Sequence, residues 1–168
     1  MRTSPPVRWL VMVSLAFLAT QVRAAGAPVS IEAVSVAPKS PGPGVLCTLK
    51  VRLKNAGTHT ATDFRFKVKI DGQEVAIYGI ESYAVNVGPG ASDTIALHNF
   101  WSPATAKPSF TVEVTLLEGR WADVKREGDT STTTPIGPIE GLPVSATESV
   151  HLASTKEGLT PDEEESQN

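Results

Sequence analysis

Apolar and polar residues alternate with a period of two along most of the chain between Ala25 and Lys156. This period is typical of β-strands that bury one face, and no stretch of ten residues there has a convincing helical stripe. The strands predicted from the pattern are 29–36, 45–54, 63–70, 74–80, 92–101 and 110–117. A final strand is expected at 130–136 or at 143–152, and the pattern does not choose between them.

The turns between these segments favour an all-β fold. Asp71-Gly72 is a strong hairpin signal because both residues tolerate positive φ, and Pro/Gly-rich segments mark further turns. Short strands separated by frequent turns predict an immunoglobulin-like antiparallel β-sandwich of about seven strands. The residues expected to form its core are Leu49, Val51, Phe64, Phe66, Phe110, Val112 and Val114. Trp101 is expected to join the core at the end of its strand.

The two ends of the chain differ from this central domain. Residues 1–24 have the form of a secretory signal peptide, with a basic start, an apolar run of about half a membrane span, and small residues at the predicted cleavage site. An uncleaved N-terminal anchor is the alternative. Residues 156–168 are rich in acids and have little to bury, which predicts a disordered tail. The folded domain is therefore expected to span residues 25–155.

Charge and cysteine content narrow the possible partners. Removal of Arg2, Arg8 and Arg23 with the signal peptide leaves 12 basic and 18 acidic residues, which argues against nonspecific binding to nucleic acid or to an anionic membrane. The single cysteine, Cys47, excludes an intramolecular disulfide. It lies on the apolar side of its strand, which favours a buried core residue over a reactive thiol.

The order of strand and turn motifs resembles that of the CARDB domain, a bacterial and archaeal immunoglobulin-like module named for cell adhesion. Residues 44–57 resemble its second strand, which ends in Lys-Asn-x-Gly. Residues 64–72 resemble the third strand with its hairpin, and residues 87–103 and 110–117 are similar to the following blocks. The resemblance covers about 29–127. It implies an extracytoplasmic adhesion or assembly module without catalytic residues, although 118–129 lacks the asparagines that the family often carries there.

Residues that could support catalysis or metal binding are sparse. His59, His98 and His151 have no metal-ligand spacing, and the chain lacks a nucleophile elbow and a phosphate-binding loop. No cofactor and no catalytic residue is predicted. Whether the acidic side chains of a predicted loop bind a calcium ion is left open, because Lys125 and Arg126 lie among them. These acids are Asp123, Glu127 and Asp129.

Two groups of side chains are candidates for binding. Basic residues line the outer faces of two strands, where they would either hold an anionic polymer or act as solubilising side chains paired with acids such as Glu113. This basic group comprises Lys50, Arg52, Arg65 and Lys67. Aromatic residues near strand ends offer stacking platforms for a sugar; Trp121, Tyr78 and Tyr83 are the candidates, with Trp121 expected to be the more exposed tryptophan.

The functional hypothesis is an exported, periplasmic or extracellular protein that binds another protein or an envelope polymer without catalysis. Strand addition at an exposed sheet edge is one possible mode. The alternative is a secreted protein that binds a carbohydrate or small ligand through the aromatic candidates. A metal-binding protein or an enzyme ranks below both.

Overall fold

The structure, a computed structural model, describes residues 27–75, 83, 85–105 and 107–153. The predicted signal peptide and acidic tail, and Tyr78, lie outside the described residues. The described strands are β1 Val29–Ala37, β2 Leu46–Asn55, β3 Thr60–Ile70, β4 Gln73–Val75, β5 Ser92–Trp101, β6 Ser109–Glu127, β7 Thr130–Pro138 and β8 Val144–His151. This part of the chain is all-β, and none of its residues forms a helix that could span a membrane.

The strands form two antiparallel sheets that close on each other as a sandwich. One sheet has the order β1-β2-β5. The other has the order β4-β3-β6-β7, and β8 also pairs with β6. β8 is opposite the first half of β6 and β7 is opposite the second half, so β6 holds the larger sheet together.

The core consists of the alternating apolar residues that face inward from both sheets. Six of the seven predicted core residues are fully or almost fully buried, and the seventh, Phe66, is partly buried against them. Cys47 is also fully buried, as its position on the strand predicts. Burial raises the pKa of its thiol, which donates to the backbone carbonyl of Val45 at 3.4 Å.

Several β-bulges interrupt the alternation, and two of them decide where the tryptophans lie. In β5, Ala96 is opposite Lys50 and His98 is opposite Leu49, so Leu97 is an extra residue. In β6, Leu117 is extra in the same way, between the partners of Phe66 and Arg65. Each extra residue shifts the alternation by one position, so that side chains beyond it lie on the opposite face from the one that the period predicts.

The C-terminal strands differ from the sequence-based prediction. The strand predicted at 110–117 continues to Glu127, and the expected loop at 118–129 is the second half of β6 with its turn. The two segments that compete for the last strand are both strands, β7 and β8. The return strand predicted at 74–80 is described only as the three residues of β4.

Candidate binding surface

The two tryptophans of the described residues lie at opposite ends of the sandwich, and Trp101 is the exposed one. Trp101 is 68 % exposed, and Leu46, its partner across the β2–β5 ladder, is 48 % exposed. Val45 adds a third exposed apolar side chain just before β2. We call Val45, Leu46 and Trp101 the apolar patch. The prediction that Trp101 belongs to the core is wrong, because the bulge at Leu97 turns Phe100 inward in its place.

The backbone beneath the apolar patch is fixed by a buried serine. The Ser102 hydroxyl donates to the carbonyl of Gly42 at 2.6 Å and accepts from the Val45 backbone N–H at 2.8 Å. The backbones of Val45 and Ser102 are also hydrogen-bonded at 2.9 Å. The loop before β2 and the end of β5 are therefore held together, and the patch is presented on a rigid support.

A row of basic side chains continues from the apolar patch along β2. Lys50, Arg52 and Lys54, which we call the basic row, share the outer face of the smaller sheet with Leu46 and Thr48. Arg52 forms an ion pair with Glu32 at 3.1 Å, and the Lys54 ammonium donates to a backbone carbonyl at 2.6 Å. Lys50 is exposed and forms no ion pair among the described residues.

Glu32, the acid that pairs with Arg52, has a lowered pKa. A hydrogen bond from Ser92, with a smaller contribution from Arg52, holds the pKa of Glu32 below its ordinary value. This carboxylate lies on β1, at the side of the basic row. Glu32 is thus engaged by Ser92 and Arg52, and Lys50, nearest the apolar patch, has no acidic partner in an ion pair among the described residues.

The basic residues of β3 lie in the other sheet and are paired with acids. Arg65 binds Glu118 through both carboxylate oxygens, at 3.1 and 3.2 Å, and the Lys67 ammonium lies 2.6 Å from Glu74. The Lys69 ammonium forms an ion pair with the Glu113 carboxylate at 3.5 Å. Lys50 and Arg52 thus do not share a surface with Arg65 and Lys67, and the pairs on β3 fit the solubilising alternative.

Trp121, the candidate expected to be exposed, is partly buried at the opposite end of the sandwich. Its ring packs against the core, against Gly57 and near the His59 ring, whose centroid is 6.3 Å away. Its remaining surface lines a shallow groove of about 490 Å³ together with Pro28 and Glu140. Trp121 therefore has mainly a structural setting, with one edge available to a ligand.

Tyr83 is not available as a stacking platform. It is 8 % exposed, its hydroxyl donates to the backbone carbonyl of Leu97, and its ring meets the Phe66 ring edge-on at a centroid distance of 5.8 Å. Burial also raises the pKa of its phenol. The expectation that Tyr83 offers a face to a sugar is corrected, because the residue bridges the two sheets inside the core.

A second concave surface lies along β6 and β7 of the larger sheet. It is an open groove of about 960 Å³ between the bulge of β6 and the segment that follows β7. Arg65, Arg120 and the exposed Ile136 contribute to its lining. The predicted residues Arg65 and Trp121 thus line two different grooves that meet only at Pro138.

The acids considered for an ion do not gather at one point. Asp123 and Glu127 lie along β6, and Asp129 is in the turn to β7. Within the described ranges, no group of three or more His, Cys, Asp or Glu side chains is arranged to hold a metal ion.

Comparison with known proteins gives a family and a fold. The sequence profile of the CARDB family matches residues 29–116. A crystal structure of the CARDB domain of a Pyrococcus furiosus protein in complex with di-metal ions is 18 % identical, with 74 % of this chain and 91 % of that chain covered and a TM-score of 0.42. The solution NMR structure of residues 272–376 of a Methanosarcina acetivorans protein, described as a cell surface protein, is 20 % identical, with coverages of 66 % and 92 % and a TM-score of 0.37. A comparison with curated proteins gives no match.

Proposed function

Because the chain belongs to the CARDB family, we propose that it is an exported, non-catalytic adhesion or assembly module that binds another protein through the apolar patch. The family is one of cell-surface domains related to adhesion, which supports a role in binding. The absence of catalysis is likewise an inference from the family, which supplies no catalytic residues to transfer.

The exposure of Trp101 is the observation that carries this proposal. Tryptophan is enriched among the residues that dominate protein–protein binding energy, and such residues are most effective when apolar neighbours surround them. Leu46 lies directly across the ladder from Trp101, and Ser102 holds the backbone beneath both. A rigid apolar surface of this kind loses little conformational entropy when a partner covers it.

The position of the patch at a sheet edge also favours a protein partner. Among the described residues, β5 pairs with β2 alone, so its other side is an edge of the smaller sheet. Edge strands carry backbone donors and acceptors that an added strand can use. A partner strand beside β5 would gain backbone hydrogen bonds and bring an apolar side chain against Trp101.

Export is part of the same proposal. Residues 1–24 have the three-part form of a signal peptide, and the family supports a location at the cell surface. We place the mature chain in the periplasm or outside the cell. Fractionation of the cells tests this step, and a chain confined to the cytosol would contradict it. N-terminal sequencing of the protein from its own envelope then distinguishes the cleaved form from the uncleaved anchor, which would still begin at residue 1.

Affinity capture from an envelope extract tests binding through the patch. The bait proteins are the wild-type chain, the double variant Leu46→Ser/Trp101→Ser and the control Ile136→Ser, which removes an exposed apolar side chain from the other sheet. The proposal predicts proteins that the wild type and the control retain in equal amounts and that the double variant loses. Equal retention by all three baits would refute the role of the patch.

Glycan binding is a second candidate, supported by the groove beside Trp121. This groove places the indole of Trp121 beside Glu140, a combination that can contact the apolar surface of a sugar and accept from its hydroxyls. A change in tryptophan fluorescence on titration with a glycan, abolished by Glu140→Ala, would support it. An unchanged spectrum with every sugar of a broad panel would exclude this candidate.

A further inference from the structure

We propose that the acidic C-terminal segment of the chain folds back onto the outer face of the smaller sheet, with Leu159 on the apolar patch and the acids at 162–165 on the basic row. The occupant is thus a segment of the same chain, and the contact is electrostatic and apolar at once. Its docking does not depend on the proposed function. Its consequence, competition with a protein partner for the patch, does.

The described chain ends beside the apolar patch. The Ala153 backbone N–H donates to the carbonyl of Pro41 at 2.9 Å. Gly42, which follows Pro41, lies beside Val45 of the apolar patch: a Cβ added at Gly42 would be 3.4 Å from a Val45 methyl group. The segment that follows Ala153 therefore starts at the edge of the patch and not at the Trp121 end of the sandwich.

The length of the segment matches the distance it must cross. Six residues lead from Ala153 to Leu159, and an extended chain of that length reaches about 20 Å. This is sufficient to reach the patch from Pro41. From Leu46 to Lys50 along β2 is about 13 Å at the rise of a strand, which equals the reach from Leu159 to Glu163 in extended form.

The spacing of side chains also agrees. In an extended segment alternate residues share one face, so Leu159, Glu163 and Glu165 point the same way. The outer face of β2 repeats with the same period and presents an apolar residue followed by cations. A segment parallel to β2 would place Leu159 over Leu46, Glu163 over Lys50 and Glu165 over Arg52.

The charges of the two surfaces are opposite. Residues 154–168 contain five acids and one base, Lys156. The basic row is solvent-exposed for most of its length, and its Lys50 has no acidic partner among the described residues. Exposed pairs of this kind are individually weak and screened by salt, so the contact is reversible and a partner with a stronger apolar group displaces it.

A spin label near the end of the chain tests the docking directly. Ser166→Cys is labelled in the full mature chain, where the buried Cys47 does not take the reagent, and backbone amide signals are recorded at low salt. The proposal predicts that the amides of Lys50 and Arg52 lose more than half of their intensity while those of Arg65 and Lys67 on the opposite sheet keep theirs. Equal intensities on the two sheets would overturn it.

Charge-neutral variants separate specific docking from general proximity. Replacement of Asp162, Glu163, Glu164 and Glu165 by their amides should restore the signals of the basic row. The control neutralises Asp123, Glu127 and Asp129 on the distant β6–β7 hairpin and should leave the attenuation unchanged. Attenuation that survives the first change would contradict the electrostatic part of the proposal.

Capture of a partner then tests the competition. The variant with four neutralised acids should retain more of the patch-dependent partner than the wild type does. Because the spin-label experiment needs no partner, failed capture counts against the proposed function and leaves the docking result standing. Patch-dependent capture that is equal in both chains would contradict competition.

Discussion

The two ends of the sandwich use a tryptophan in opposite ways. At the closed end, which contains Asn55, Gly57 and Trp121, the indole is packed into the fold. At the open end, which contains the apolar patch, Trp101 is exposed with Leu46 beside it. At the closed end the polar and apolar side chains make contacts within the fold, whereas at the open end the side chains of the apolar patch are exposed to solvent. This difference separates residues that hold the fold from residues that are available for binding.

Asn55 explains why the closed end is stable. It is fully buried, and its amide donates to the carbonyls of His59 and Val87, both at 2.8 Å, while its side-chain oxygen accepts from the Gly57 N–H. A buried side chain with every polar atom satisfied fixes the surrounding backbone. The Trp121 ring packs on Gly57, beside the Asn55 side chain. The position of the ring and the hydrogen bonds of Asn55 therefore depend on each other.

Loss of the Asn55 network should have the largest effect on stability. Asn55→Ala removes all three hydrogen bonds of this side chain, each of which contributes about 0.5–1.5 kcal/mol, from a fully buried position. We expect the free energy of unfolding to fall by about 3 kcal/mol in urea denaturation. Asn99→Ala, an exposed asparagine at the open end, is the matched control and should change it by less than about 0.5 kcal/mol.

Crowding Trp121 should have the next largest effect. A methyl group at residue 57 would lie 2.5 Å from the indole, so Gly57→Ala forces the ring out of its site. Overpacking of this kind lowers the free energy of unfolding by about 2 kcal/mol. Gly88→Ala has open space around the added methyl group and should be near neutral, so equal effects of the two substitutions would contradict the tight packing of Trp121.

Acid should weaken the open end through Asp71. The Thr111 N–H at 2.9 Å, and to a smaller degree the Lys107 ammonium at 3.5 Å, lower the pKa of this carboxyl. Its stabilising contribution is therefore present above the pKa of the unfolded chain and is lost as pH falls through the lower pKa of the folded state. Asp71→Asn keeps the acceptor and removes the titration.

The melting temperatures of the wild type and of Asp71→Asn, each measured at neutral pH and in strong acid, provide the check. The loss on acidification should be smaller in the variant than in the wild type. A variant that loses as much as the wild type would show that the Asp71 contacts do not contribute to the pH dependence.

The smallest effect on stability is expected at Trp101. Its side chain is mostly solvated, so Trp101→Ser should change the free energy of unfolding by less than about 0.5 kcal/mol. The same substitution should weaken partner capture strongly. A large loss of stability would place Trp101 in the structural group with Trp121 and remove the contrast between the two ends.

Most of the fold followed from the alternation of apolar residues. The limits of β5 and nearly all of β1 and β2 agree with the predicted strands, and the Asp71-Gly72 hairpin has positive φ at both residues, as its sequence predicts. These elements are predictable because a strand with one buried face alternates apolar and polar residues in the sequence.

The placement of the two tryptophans was not predictable from the period alone. The bulge at Leu97 moves the inward position from residue 99 to Phe100 and leaves Trp101 outside, and the bulge at Leu117 moves it to Gly119 and brings Trp121 inside. A bulge depends on pairing with another strand, which a single sequence does not show. The same shift interrupts the period at residue 117, so the alternation predicted only the first half of β6.

Site-specific photo-crosslinking tests the central claim, that the open end binds a partner and the closed end does not, most directly. A photoreactive residue is placed at position 46 in the apolar patch or, as the exposed control on the other sheet, at position 136, and the envelope is irradiated with the protein in place. The account predicts a discrete crosslinked protein from position 46 that is absent from position 136. No crosslink at position 46, or the same products from both positions, would contradict it.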